Sequence, residues 1–271
     1  MKDSNMRKNI SLIISILVLT ACKQQSAGPV VQAVYPSSEI VPENLLRIYV
    51  EFSHPMKTIG NIEKIKLIDN RGVEVKNVFF NNAYELWNPE QTQLTLILDP
   101  ARVKTGLQAH NAFGRALQPK KKYTLRIDGL QNVKHESMQK PFEKVFIIDE
   151  ADLQIPDTGK WQITLPKAGT TEAFVLDFPQ MLDYNSLRQR LIITNSNHTL
   201  IDGQVSIGKS ETEWRFSPTK PWQSKSYILH INTRLEDPSG NNINGLFDHA
   251  IGTLKYQKEG VIETIPFKIK D

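Results

Sequence analysis

An internal repeat constrains this chain more than any other feature. Val50-Glu51-Phe52-Ser53-His54-Pro55-Met56 aligns with Leu176-Asp177-Phe178-Pro179-Gln180-Met181 at an offset of 126 residues, and the same offset carries Leu67-Ile68-Asp69-Asn70 onto Ile193-Thr194-Asn195-Ser196. Farther along, Leu98-Asp99-Pro100 aligns with Phe216-Ser217-Pro218, and Tyr123-Thr124-Leu125-Arg126-Ile127 with Tyr227-Ile228-Leu229-His230-Ile231 at an offset of 104. The matched segments alternate apolar and polar residues, the period of a strand with one buried face. The first copy carries about 22 extra residues, placed in 79–89 and 101–119. Strands that match while their connections differ in length mark a duplicated β domain, because surface loops tolerate insertion.

Ahead of the repeat, residues 1–9 are polar with Lys2, Arg7 and Lys8, and residues 10–19 form a ten-residue apolar run. That run is too short to span a bilayer as a helix and has the length of a signal-peptide core. Leu19-Thr20-Ala21-Cys22 resembles the lipobox of bacterial lipoproteins, in which small residues precede the cysteine that is lipidated and becomes the new N-terminus. The resemblance implies a membrane anchor through a lipid on Cys22. Lys23 in place of an aspartate implies outer-membrane sorting in a diderm cell, with the domains in the periplasm or at the surface. An ordinary signal peptide with a chance cysteine is the plainer alternative. Cys22 is the only cysteine, so the folded part forms no internal disulfide and depends on its cores for stability.

The formal charge of +4 falls to +2 once the leader is set aside, near neutral for the length that remains. Lys120-Lys121-Lys122 is the one basic cluster, in the turn before the strand expected at Tyr123, where a solvated loop explains it. Nucleic-acid binding asks for a basic face with interleaved aromatics, and the sequence has none.

Residues 23–34 are small and polar and read as a tether. The first domain is expected over 35–150, with strands at 46–52, 62–68, 73–79, 94–98, 123–127 and 142–148. Residues 101–119 read as a long loop with at most one helical turn. After a linker at 150–156, the second domain fills 157–271, with strands at 161–165, 173–178, 190–194, 204–207, 213–216, 227–231 and 264–269. Each is near single-domain size. Residues 247–261, with His249 and Tyr256, have no place in the repeat.

Tyr35-Pro36-Ser37-Ser38 and Val41-Pro42-Glu43-Asn44, leading into Val50 to Met56, together with Leu235-Glu236-Asp237-Pro238-Ser239-Gly240-Asn241-Asn242 in the second copy, resemble the bacterial Ig-like domain family of S-layer and other cell-surface proteins. That pattern opens with a Pro-rich turn, ends a strand on Phe-Ser-x-Pro-Met and closes with Asp-x-x-Gly-Asn before the last strand. The first copy departs with Leu130-Gln131-Asn132-Val133-Lys134 at the closing motif, and the second lacks the serine after Phe178. The resemblance implies an all-β fold, two tandem Ig-like β-sandwich domains after a lipoprotein signal peptide. It also implies a non-catalytic role in surface architecture, adhesion or assembly with an envelope protein partner. A glycan-binding accessory lipoprotein of a polysaccharide-handling system is the alternative, and an envelope hydrolase the lesser one.

The candidate sites each have a structural explanation beside the functional one. Asp237, Gly240, Asn241 and Asn242 could offer oxygen ligands to Ca²⁺, although the same residues build tight turns unaided and lack the spacing of a calcium loop. Trp87 and Trp222 sit beside prolines in connections, where an exposed ring would stack on a sugar; packing over a domain edge is the simpler reading. Trp214 and Phe216 share a strand face and read as core. The six histidines are scattered without metal-ligand or nucleophile spacing, and no phosphate-cradling loop occurs, so no cofactor is expected. Ser53, His54 and Asp99 would make a hydrolytic triad only if the fold brought them together.

Overall fold

A computed structural model of the protein describes residues 28–80, 84–249 and 260–270, so the leader, Cys22 and Tyr256 lie outside the described residues. The first module comprises β1 (Val31–Tyr35), β2 (Ile40–Pro42), β3 (Arg47–Phe52), β4 (Ile65–Asp69), β5 (Leu86–Trp87), β6 (Gln93–Ile97), the short helices α1 (Pro100–Val103) and α2 (Gln108–Phe113), β7 (Lys122–Ile127) and β8 (Phe142–Asp149). The second comprises β9 (Gln162–Thr164), β10 (Phe174–Asp177), α3 (Tyr184–Gln189), β11 (Leu191–Asn195), β12 (Gly203–Ile207), β13 (Glu213–Pro218), β14 (Ser226–Asn232) and β15 (Ile262–Lys268).

Alternation builds both modules. In β3, Ile48, Val50 and Phe52 enter the core while Arg47 and Glu51 stay half-buried on the other face. In β10, Phe174 and Leu176 do the same for the second module, and Val175 and Asp177 face outward. Each module pairs two sheets over its own hydrophobic cluster, one centred on Val50, Leu94, Leu125 and Phe146, the other on Leu176, Trp214, Leu229 and Phe267. The fold is all-β, two sandwiches in tandem.

The sheets of the first module run β1-β3-β6-β5 and β2-β8-β7-β4; those of the second run β12-β13-β10-β9 and β11-β14-β15. Read from the matching end, β9-β10-β13-β12 repeats β1-β3-β6-β5, and β11-β14-β15 repeats β4-β7-β8. The duplication extends to register, since Leu67 opposes Leu125 as Ile193 opposes Leu229. One alignment is corrected: Ile48 opposes Leu96 as Phe174 opposes Phe216, so the partner of Phe216 is Leu96 and not Leu98. A slip of two residues leaves every side chain on the same face, so alternation cannot detect it.

Other expectations also shift. Residues 31–34 are not tether: β1 pairs with β3, and Val34, opposite Val50, is buried. Residues 73–79 form no strand; isolated bridges at Glu74 and Phe79 join them to the sheets, and Val78 is buried in the core. The turn before them is closed by Asp69, whose carboxylate accepts from the Arg71 and Val73 N–H groups. Within 101–119 there are two short helices instead of one turn. Asp99 caps the first, with Pro100 in its opening turn, and Gly114 ends the second with φ +67°. The unanticipated α3 is capped by Asp183, which accepts from the Ser186 N–H.

Candidate functional site: the junction between the modules

The outward face of the β1-β3-β6 sheet is covered by the second module, and the polar groups that meet there come from both copies. The most deeply placed is the turn that follows Glu236. Asp237 is fully buried; its Oδ1 accepts from the N–H groups of Ser239 (2.8 Å) and Asn241 (3.0 Å), and its Oδ2 from the Asn241 amide (2.9 Å). Gly240 holds φ +79°, and a Cβ there would lie 2.6 Å from Leu46 Cδ2. The turn is thereby pressed onto the first module, where the Leu46 N–H donates to the Pro238 carbonyl at 2.8 Å and the Ser239 hydroxyl to Asn44 Oδ1 at 3.0 Å.

The linker is fastened to the same place. Asn44 and the Asp152 backbone exchange two hydrogen bonds, at 2.8 and 2.9 Å, and the Asn241 amide donates to the Asp152 carbonyl. The 150–156 segment therefore packs into the junction rather than spanning a gap. Burial, with Asp152 nearby, pushes the Asp237 carboxyl well above the ordinary carboxylate range.

Further ties lie around this turn. The Tyr49 hydroxyl donates to Asp183 Oδ2 at 2.8 Å, in a site where both residues are almost solvent-free. Burial raises the Asp183 carboxyl, against the opposing pull of Arg47, and Arg47 itself pairs with Glu236. On the neighbouring side, both Glu211 oxygens accept from the Ser37 N–H (2.9 and 3.1 Å), and the Ser37 hydroxyl accepts from the Ser210 N–H. Burial raises Glu211 as well. Lys144 caps the carbonyls of Val34, Pro36 and Ser37 beside it. Asp248 joins the far end of the junction to Thr105 and Arg115.

Beside these ties a cleft of about 870 Å³ opens between the modules. Its floor is the outward face of β1, β3 and β6, and its walls are α3, β12 and the 88–92 loop. Tyr35 and Tyr184, one from each copy, stack with ring centroids 3.5 Å apart and planes 9° from parallel. Gln93 links the copies, donating to Glu51 Oε1 at 3.1 Å and accepting from the Asn185 amide at 2.8 Å. The Tyr184 hydroxyl reaches the same Glu51 oxygen at 3.4 Å.

The residues singled out in the sequence fall elsewhere. Trp222 is 2 % exposed, its indole N–H donates to the Glu172 carbonyl at 2.8 Å, and its ring is packed among Phe216, Tyr227 and Phe267. It is a core residue of the second module and offers no platform to a ligand, a correction that follows from the apolar side chains gathered at that end of the sandwich. Trp87 is half-buried against Phe52, with its N–H on Glu85. Trp214 and Phe216 are core. Asp237, Asn241 and Asn242 spend their side-chain oxygens on the N–H groups of their own turn and of Asn244 and Phe247. No group of three His, Cys, Asp or Glu side chains placed to hold a metal occurs among the described residues. Ser53 and His54 share a hydrogen bond at 2.8 Å, but the Asp99 carboxylate is occupied as the cap of α1. The cleft residues Glu51, Gln93, Asn185 and Arg188 carried no motif in the sequence, since the site exists only once two distant copies are apposed.

No family model matches the chain, and no curated protein matches it. Among solved structures, a segment of native α2-macroglobulin from Escherichia coli spanning domains MG0-NIE-MG1 aligns at 12 % identity over 91 % of this chain and 73 % of that one, with a TM-score of 0.29. The FN1-FN3 domains of chicken CNTN1 align at 10 % identity over 90 % of this chain and 67 % of that one (TM-score 0.23), and a marsupial T cell receptor at 8 % over 90 % and 98 % (TM-score 0.21). At these identities and scores the alignments carry nothing about function, and the all-β assignment rests on the sheets themselves. No helix among the described residues is long and apolar enough to cross a membrane.

Proposed function

We propose that the chain is a lipid-anchored cell-envelope protein that works by binding, its two Ig-like modules acting as one body in the assembly of envelope components. The observation that carries the reading is the junction. Buried carboxyls at Asp183, Glu211 and Asp237 are engaged as fasteners, to Tyr49, to Ser37 and within a turn pressed onto Leu46, which suits a stiff spacer or docking subunit more than a site of turnover. Leu19-Thr20-Ala21-Cys22, directly after a signal-peptide core, supports the anchor, and Lys23 supports the outer membrane as its location.

The test is a mild-detergent pull-down of the full chain from its own membranes, with Cys22→Ser as the control. The wild type is expected in the membrane fraction with a stoichiometric envelope protein, and the variant in the soluble fraction without it. Equal distribution of the two forms would remove the anchor from the reading, and background proteins alone in both samples would remove the assembly role.

A further inference from the structure

The cleft beside the junction has a chemistry that the fasteners do not use. Its size falls within the range of ligand sites, and five of its lining residues are amides: Gln32, Asn88, Gln93, Asn185 and Gln189. An amide sets a carbonyl acceptor beside an NH₂ donor, the complement of a sugar hydroxyl, which both donates and accepts. Glu51 and Glu90 against Arg188 leave a formal charge of −1, with Arg188 beside Glu51, so the lining does not favour an anionic ligand and carries no cluster of charge for a cationic one.

The polar groups are also held in place before any ligand arrives. Gln93 fixes Glu51 through Oε1 and Asn185 through its amide nitrogen, and Arg188 stands 3.9 Å from the same Glu51 oxygen and 5.6 Å from the centre of the Tyr184 ring. That leaves Glu51 Oε2 and Asn185 Oδ1 without a partner among the described residues, as two acceptors beside a guanidinium. Such preorganisation lowers the ordering cost of binding. We propose that this cleft binds a short segment of neutral oligosaccharide, with Glu51, Asn185 and Arg188 hydrogen-bonding its hydroxyls and the Tyr35–Tyr184 pair forming one wall.

An extended peptide is the competing occupant, because β12 ends its sheet and its residues Val205 to Ile207 line the cleft. Peptide recognition along a strand draws specificity from pockets for alternate side chains. Here Phe52 is sealed beneath the floor at 2 % exposure and the other apolar residues, Val205, Ile207 and Pro89, belong to the walls, so the floor presents polar groups in place of side-chain pockets. The inference does not depend on the lipid anchor, since the cleft is formed by the two modules alone.

The test is calorimetric titration of the full chain, held in a detergent without a sugar headgroup, with maltotetraose, cellotetraose, mannotetraose and chitotetraose. At least one is expected to bind with a Kd of about 10 µM to 1 mM. Arg188→Ala, at a side chain 53 % exposed, is expected to weaken that binding at least about tenfold while leaving the melting temperature in place. The proposal is overturned if the folded protein binds none of the four, if Arg188→Ala binds as well as the wild type, or if a panel of extended octapeptides binds in their place.

Discussion

Tyr49→Phe removes one oxygen atom from the middle of the junction and changes almost nothing else. The hydroxyl donates to Asp183 Oδ2 at 2.8 Å, both residues are 5 % exposed, and the other carboxyl oxygen is satisfied by the Ser186 N–H. Phenylalanine fills the same space, so no cavity forms and the cost is that of a buried oxygen left without its donor. A hydrogen bond to an ionised acceptor contributes about 1.5–3 kcal/mol and one between neutral partners about 0.5–1.5 kcal/mol. Burial raises the folded-state value of Asp183 above its ordinary 3.8. The stability this carboxyl contributes is therefore fully present below the ordinary value and is lost as the pH rises through the raised one. Above that point the charge leans on Tyr49, so the substitution is expected to cost about 1.5–3 kcal/mol at pH 8 and less in acid, where the carboxyl is protonated. Urea unfolding reads this directly, since an m-value of about 2–3 kcal/mol/M converts the cost into a midpoint lower by about 0.5–1.5 M. The same experiment reports coupling: Trp87 lies in the first module and Trp161, Trp214 and Trp222 in the second, while far-UV circular dichroism follows both. Coincident transitions are expected in the wild type, and the fluorescence and dichroism curves are expected to separate in Tyr49→Phe. A midpoint change under about 0.2 M at pH 8, or a cost that grows in acid, would refute the assignment of Asp183 as a carboxyl that depends on this hydroxyl.

Three further expectations follow from single positions. Gly240→Ala combines a strained left-handed backbone with a Cβ 2.6 Å from buried Leu46 and is expected to cost about 2–4 kcal/mol. Gly60→Ala, at φ +78° in open space, is expected to cost only about 1–2 kcal/mol; equal losses of melting temperature would show that Leu46 gives way. Asp237 follows the same sign as Asp183, so the stability gap between wild type and Asp237→Asn is expected to narrow from pH 4 to pH 8, at up to about 1.4 kcal/mol per pH unit. A pH-independent gap in urea titrations would place its titration outside that window, and a rise of several degrees in melting temperature with calcium over chelator would make its turn a metal site after all. Among the described residues the buried Trp214 indole N–H has no partner, whereas Trp222 donates to Glu172, so Trp222→Phe is expected to be the more damaging by about 1 kcal/mol, and the reverse order in thermal melts would contradict the hydrogen-bond assignment.

The fold was legible because its information is local. Ile48-Tyr49-Val50-Glu51-Phe52 and Phe174-Val175-Leu176-Asp177 each declare an inner and an outer face, and the repeat of that pattern at a fixed offset declares the duplication. The two-residue misalignment of Leu98 with Phe216 was invisible for the same reason, since period two is all that alternation records. The junction was not legible because its bonds join residues far apart in sequence, Tyr49 to Asp183 and Ser37 to Glu211. A signal did exist: Tyr49 is an aromatic ring between Arg47 and Glu51 on the outward face, which asks what covers it. The Asp237 segment does form a turn, but its burial was not legible, because Asp, Pro, Ser, Gly and Asn ordinarily mark solvent.

The repeat also explains why the two copies are no longer interchangeable. Arg47, Tyr49 and Glu51, which receive the second module, correspond through the 126-residue offset to Ala173, Val175 and Asp177. A chain with its modules transposed would present alanine and valine where the docking face needs a guanidinium and a phenol, and would have no donor for the Asp183 carboxyl. Sequence divergence between the copies has thus given the pair a fixed polarity, with a receiving half that precedes an inserting half, and the inserting half does not pass the same docking face on to a successor.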